Sequence, residues 1–355
     1  MKKRNYYLTT ISLIFLVIFL YFAHNYMDAY IVRILNLCAI YTILGLSMNL
    51  INGFTGLFSL GHAGFMAIGA YVTAILTLSV NSKIQNFFLE PIAAPLANVE
   101  WPFFPALLLA GVLSAIAGFL IGAPALRLKG DYLAIATLGF AEIIRVIFTN
   151  TQNITNGALG LKGIPAYTNL WWSFGIAAFT VLFMALLINS SYGRALKAIR
   201  EDEIAAESMG INLFKHKVMS FTIGAFFAGI GGGLMANLLG TIDPAMFKFT
   251  LTFNILLIIV LGGMGSITGT VISAFIVTIS QEALRFLDQP MDLGLFVIPG
   301  ISGMRMVVFS VLLMIVVLFY RHGLMGTNEF SWDKFLNAIS LKKPLSKGGK
   351  YNGNA

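Results

Sequence analysis

Apolar runs alternate with short polar breaks along the chain. Runs long enough to cross, or nearly cross, about 30 Å of hydrocarbon lie at 8–23, 31–50, 57–80, 103–123, 132–149, 170–189, 217–239 and 304–320. Each predicts a helix, because in lipid the backbone polar groups of a spanning segment must be satisfied within it. A further apolar stretch, 251–284, is broken by LGGMGSITG at 261–269. Unbroken, it would make a helix about 50 Å long, too long for one crossing, so a hairpin of two short helices is predicted. The pattern describes an all-α polytopic membrane protein with about ten membrane-embedded helices, short and broken ones included. Residues 1–326 form the transmembrane domain, and 327–355 form a polar tail.

The breaks set the orientation. With the N-terminus inside, Lys2, Lys3, Arg4, Arg127, Lys129, the five basic residues from Arg194 to Lys217 and the six from Arg321 to Lys350 face the cytoplasm, sixteen of the 23 Lys and Arg. The loops left outside, around 81–101, 150–169 and 240–250, hold only Lys83, Lys162 and Lys248. Cytoplasmic loops collect Lys and Arg, so this bias favours an even number of crossings with both termini inside. The outer loops are too short for a folded soluble domain, and Trp101, Trp171 and Trp172 fall at predicted interfaces. The basic, apolar N-terminus resembles a secretory signal, but Tyr21 stands three residues before a cut after Ala23, so a retained first span is expected. Past Tyr320, SWDKFLNAISL predicts an interfacial helix before a lysine-rich, disordered end.

Composition narrows the function classes. At 58% hydrophobic and 11% charged residues, the chain lies far from soluble domains. The net charge of +8 is spread over loops and tails instead of a groove interleaved with aromatics, which argues against nucleic acid. A single cysteine, Cys38, precludes an intrachain disulfide. His24, His62, His216 and His322 are scattered, no spacing suggests a metal site, and no phosphate-cradling glycine loop with Lys is present, so ATP is not bound directly.

Three features can carry function. Asn49–Tyr71, NLINGFTGLFSLGHAGFMAIGAY, combines five glycines with Asn49, Asn52, Thr55, Ser59 and His62. Those polar groups at membrane depth suit the lining of a substrate path, and the small residues equally suit helix packing. Glu142 and Arg145, three apart within a span, predict an intramembrane ion pair that either holds the bundle or gates it. The third is an island of charge, GRALKAIREDEIAAESMG at 193–210, between two spans. Its small and apolar positions, including Ala198, Ala205 and Ala206, follow helical phase until Gly210 ends the helix, the design of an element that seats in a partner's groove. The glycine-rich segments 53–61 and 262–269 echo one another, as broken helices do in transporters built from repeats.

The island resembles the coupling motif of bacterial ABC importer permeases, Glu-Ala-Ala, three residues, Gly. Ala205, Ala206 and Gly210 keep the spacing, with Ile204 in the Glu place and Glu203 one earlier. Together with GLSMNLINGFTGLFSLGHAGFMAIGAY, KGDYLAIATLGFAEIIR, TNGALGLKGIP and VLGGMGSITG, the chain from about Tyr30 to Gly326 resembles the LivM-type permeases of branched-chain amino acid uptake. The resemblance implies an ABC importer permease bundle in the bacterial inner membrane. It would pair with a LivH-type permease, two cytoplasmic ATPases that use the ATP, and an extracytoplasmic substrate-binding protein. Within the cytoplasmic loop 191–216, the coupling helix would be Arg194–Gly210, with Arg194, Ala198, Arg200, Glu201, Asp202, Ala205, Ala206 and Gly210 facing the ATPase. Urea or short amides are the alternative cargo. An ATP-independent channel or carrier using Glu142, Arg145, His62 and Arg305 is the rival from another class.

Overall fold

The computed structural model describes residues 2–128, 130–288, 291–292, 297–298, 303–319 and 323–332, and in it the apolar runs are helices. In chain order the helices are α1 (Lys2–Tyr26), α2 (Ala29–Asn49), α3 (His62–Thr77), α4 (Val80–Asn86), α5 (Ala94–Ala97), α6 (Phe103–Ala125), α7 (Asp131–Asn150), α8 (Gln152–Thr155), α9 (Leu170–Asn189), α10 (Ser191–Glu201), α11 (Glu203–Ser208), α12 (Leu213–Leu239), α13 (Phe249–Gly262), α14 (Ile267–Ala283) and α15 (Met304–Phe319). Among the described residues, six helical stretches are long and apolar enough to cross a membrane: Tyr7–Tyr26, Ala29–Phe54, Phe103–Ala125, Asp131–Asn150, Leu170–Asn189 and Leu213–Leu239. With the shorter α3, α13, α14 and α15, the apolar helices among the described residues reach ten, in line with the expected number of about ten.

Side-chain caps set several boundaries. Asn169 accepts the Trp172 amide at 3.0 Å, Asn212 that of Lys215 at 2.9 Å and Ser266 that of Gly269 at 3.0 Å, starting α9, α12 and α14. The predicted hairpin is α13 and α14, of 14 and 17 residues and so about 21 and 26 Å long. The run predicted from 57 is helical only from His62. Before it, α2 widens into a five-residue π turn, Leu50–Phe54, and Thr55–Gly61 is irregular.

The centre of the bundle is α2, α3 and α12, with α6 against α3 and α12, whereas α1 is exposed along most of its length. Glycine makes the tight contact. A Cβ on Gly69 of α3 would stand 2.0 Å from the Gly229 carbonyl of α12, and one on Gly232 would stand 2.1 Å from the Met66 carbonyl. Backbones this close allow no side chain between them.

The three connections at one end of the bundle are knit together. Strand β1 (Leu161–Lys162) pairs antiparallel with β2 (Thr241–Ile242), and the Asn86 side chain bonds both the amide and the carbonyl of Lys162 at 2.8 Å. Lys83 is buried there and donates to the Leu96 carbonyl at 2.9 Å and to that of Val99. Burial pushes its ammonium below the ordinary lysine range, with Glu100 acting in the other direction. Replacing Lys83 by Met is expected to strip two carbonyls of their donor at a cost of about 2 kcal/mol. Limited proteolysis between residues 84 and 101 should accelerate with helix content unchanged; an unaltered cleavage rate counts against the lock.

At the opposite end the chain returns to the hairpin turn. The amides of Leu324 and Met325 donate to the carbonyls of Leu261 and Gly262 at 2.7 and 3.1 Å. Glu329 accepts the Ile267 and Thr268 amides at 2.7 and 3.0 Å, satisfying the first N–H groups of α14. Residues 327–332, which the sequence assigns to the tail, are therefore bonded to the bundle. The rest of the expected tail, including most of the expected interfacial helix, lies outside the described residues, as do Lys129, Arg321, His322 and the side chain of Arg305.

Candidate functional site: a glycine node and the charged helix pair

Asn49, Asn52, Thr55, Ser59 and His62 come together around the irregular segment, and all five are buried. Asn49 Oδ1 accepts the Gly265 amide at 2.9 Å, and its Nδ2 donates to the Ser266 carbonyl at 3.0 Å and Thr270 Oγ1 at 2.7 Å. The Asn52 amide clamps the backbone of Ser59 through both its N–H and its carbonyl, at 3.3 and 3.2 Å. Thr55 Oγ1 donates to the Leu50 carbonyl, and the Ser59 hydroxyl accepts the Gly61 amide. His62 Nε2 lies 2.6 Å from Ser47 Oγ. The same Ser47 hydroxyl lies 2.7 Å from the Leu44 carbonyl, so it ties the His62 ring to the last turns of α2. These polar groups answer one another, so backbone that has left the helix is satisfied at membrane depth.

The same bonds join the two glycine-rich segments that echo each other in the sequence. Gly53 and Gly265 meet so closely that a Cβ on Gly53 would lie 1.8 Å from Asn49 Oδ1 and 2.5 Å from the Gly265 nitrogen. Arg200 completes this node. Its Nη1 donates to the Gly53 carbonyl at 3.1 Å, and its other edge bonds Glu201. Gly56 at φ +76° and Gly265 at φ +89° leave room for the arginine; a Cβ would stand 2.8 Å from its Cγ at the first and 2.6 Å from its Nη1 at the second. The charged island thus reaches the breaks in both the α2–α3 and the α13–α14 connections.

The single coupling helix expected at Arg194–Gly210 is two helices, α10 and α11, bent at Asp202. That residue is extended, and its Oδ1 accepts the Ile204 and Ala205 amides at 2.8 and 3.0 Å. A short acidic side chain competes with helical backbone and starts a new N-terminus. Gly210, at φ +82°, ends α11: its amide donates to the Glu207 carbonyl, and that of Ile211 donates to the Ala206 carbonyl.

Among the residues expected to face an ATPase, Arg194, Glu201, Asp202, Ala205 and Gly210 are exposed and Ala198 is half-buried. Ala206 is buried against the bundle, and Arg200 points inward with a quarter of its side chain exposed. Glu203 pairs with Lys217 of α12 at 2.6 Å and Lys197 approaches the Phe54 ring, so both α10 and α11 are fastened to the spans. Ile204 and Met209 are large apolar side chains left 79% and 82% exposed. Position 204 occupies the motif's Glu place, the signal from which its outward direction is readable.

Glu142 and Arg145 do not join the node. They pair on α7 at 2.7 Å, each about 30% or less exposed. On the side of the bundle where β1 and β2 lie, a cavity of about 550 Å³ mixes Tyr41, Asn254, Gln281 and Glu282 with apolar residues of α2, α12 and α13. No group of three or more metal-ligating side chains occurs among the described residues.

A family model described as branched-chain amino acid transport system / permease component matches residues 30–318. The chain belongs to this family. The match runs from the first turn of α2 to the end of α15, so it takes in the glycine node and the charged helix pair and leaves out α1. The high-affinity branched-chain amino acid transport system permease proteins LivM of Salmonella typhimurium and Escherichia coli are each 36% identical over 292 residues, 73% of this chain and 64% of theirs. The chain thus spans less than two thirds of the length of those relatives. The LivH permease protein of Salmonella typhimurium is 24% identical over 282 residues, 74% of this chain and 86% of its own. No solved structure matches. The branched-chain permease family and the apolar helices together make this an all-α, multi-pass membrane protein.

Proposed function

We propose that this chain is the membrane-spanning permease subunit of an ATP-driven importer of branched-chain, aliphatic amino acids. It sits in the bacterial inner membrane with both termini in the cytoplasm, paired with a LivH-type permease. Two ATPase subunits seat below, and a substrate-binding protein delivers cargo to the outer face. The observation that carries this reading is the family match over residues 30–318, backed by 36% identity to LivM proteins. The chain binds no ATP itself; closure of the ATPase pair pushes on α10 and α11.

Arg200 turns that push into movement of the path. Its guanidinium holds the Gly53 carbonyl and packs on Gly265, so displacement of α10 bears on both irregular turns at once. The cluster of Asn49, Asn52, Thr55, Ser59 and His62 forms the wall of the path at that level, and its hydrogen bonds to Ser47, Leu50, Gly265, Ser266 and Thr270 and between Asn52 and Ser59 keep it in one conformation until α10 moves. Packed elements of this kind switch between discrete arrangements instead of deforming smoothly.

The test is uptake by proteoliposomes holding the complete complex. ATP-dependent accumulation of leucine that stops when the ATPases are omitted is the expected result. Leucine flux through this chain without them, or hydrolysis stimulated by urea and not by leucine, overturns the assignment.

A further inference from the structure

Helix α7 is a long apolar span with most of its length uncovered, yet it carries charge within that uncovered surface. It buries Leu133, Ala134, Thr137, Ala141 and Ile144 against its neighbours, and a stripe carrying Asp131, Glu142, Arg145 and Thr149 flanks that face. Glu142 lies about 17 Å from the start of a helix about 30 Å long, near the middle of the span. A charge pair at that depth with roughly a quarter to a third of each side chain uncovered is costly against hydrocarbon. Such groups face a partner or a wet cavity.

The bond between them uses only part of each group. Arg145 gives Nε to Glu142 Oε2. Among the described residues, neither Arg145 Nη1 and Nη2 nor Glu142 Oε1 has a hydrogen-bond partner, so the forked edge of a guanidinium and one carboxylate oxygen stay available side by side.

We infer that Glu142 and Arg145 form a way-station for the zwitterionic backbone of the transported amino acid, an inference that rests on the amino-acid reading proposed above. Arg145 Nη1 and Nη2 take the α-carboxylate in a bidentate pair, and Glu142 Oε1 accepts from the α-ammonium. The four charges then alternate in a closed ring with no net charge, which is how ionic groups become tolerable away from water. The aliphatic side chain rests on the neighbouring exposed apolar positions, Ile143 and Val146. A neutral amide such as urea can bond both groups but brings neither formal charge to balance them, so the pair favours a cargo with both charges.

The test uses the complete complex in proteoliposomes, with radiolabelled leucine. The double variant E142L/R145M removes both charges and replaces a part-buried ion pair by apolar side chains of similar size, a change that usually leaves folding intact. Expected is normal assembly and ATP hydrolysis with leucine uptake down about 30-fold or more. The second variant, R145K, keeps a cation and the pair but loses the fork, and is expected to lower uptake without altering assembly. Uptake by both variants within about twofold of the wild type, a difference well under 1 kcal/mol, shows a pair that only holds the helix and overturns the inference. A wild-type complex that moves no leucine fails at the earlier step and removes the amino-acid reading along with this one.

Discussion

Replacing Arg200 by Ala is expected to give a complex that assembles and hydrolyses ATP yet moves leucine at about a tenth of the normal rate or less. A hydrogen bond from a charged donor contributes about 1.5–3 kcal/mol, and 1.4 kcal/mol is tenfold in an equilibrium. What is lost is the contact of α10 with the Gly53 carbonyl, 147 residues away in sequence. The hold of α10 and α11 on the spans survives, because Leu196, Ile199 and Ala206 stay buried and Glu203 still pairs with Lys217. Hydrolysis then continues without moving the path. Substitution at exposed Arg194, which bonds Ser191 and Asn189 on its own side of the bundle, should leave the ratio of leucine to ATP unchanged. Equal loss in both variants would point to general weakening of the helix pair.

Gly69→Ala is expected to be the most damaging single-methyl change in the bundle. The new Cβ would stand 2.0 Å from the Gly229 carbonyl and 2.4 Å from its Cα, both backbone atoms of the most extensively packed helix, α12. No rotamer relieves such a clash, so α3 and α12 must separate, at a cost in the range of 1–3 kcal/mol or above. Loss of most of the purified protein and a lowered thermal unfolding midpoint in detergent are the expected readouts. Gly139→Ala and Gly175→Ala are the controls, since a Cβ at either position meets nothing within 4 Å. Each should be neutral or gain up to about 1 kcal/mol of helix propensity. Similar behaviour at positions 69 and 139 would contradict direct backbone contact between α3 and α12.

The spans were legible because their lengths are set by the bilayer, and the hairpin because 34 residues are too many for one crossing. The pairing of Glu142 with Arg145 was legible from helical spacing alone. Less was visible where a partner lies far off in the chain. Arg200 reads as one more charge on a water-facing island, and only the meeting of Gly53 with Gly265 turns it inward. Asn49 and Asn52 read equally as lining of a path and as part of a packed turn, and their distant partners Gly265, Ser266 and Thr270 are not visible in the sequence. Asp202 carried a local signal that phase-counting passes over, because a short carboxylate ahead of an Ala-rich turn starts a helix as readily as it continues one. The run GIGGG at 229–233 likewise marks the closest helix contact through the absence of side chains, which hydropathy does not register.

In the importer proposed above, work enters the bundle through the bent pair α10–α11. Its most exposed apolar side chains, Ile204 and Met209, are where a partner's groove would close. A photoreactive amino acid at 204 or 209 in the intact complex, irradiated and then digested, reports the neighbour directly. Crosslinks to the ATPase subunit that strengthen when ATP is bound are the predicted result. Crosslinks only to lipid, or labelling of these positions by a reagent confined to the outside of the cell, would contradict entry of work through α10–α11.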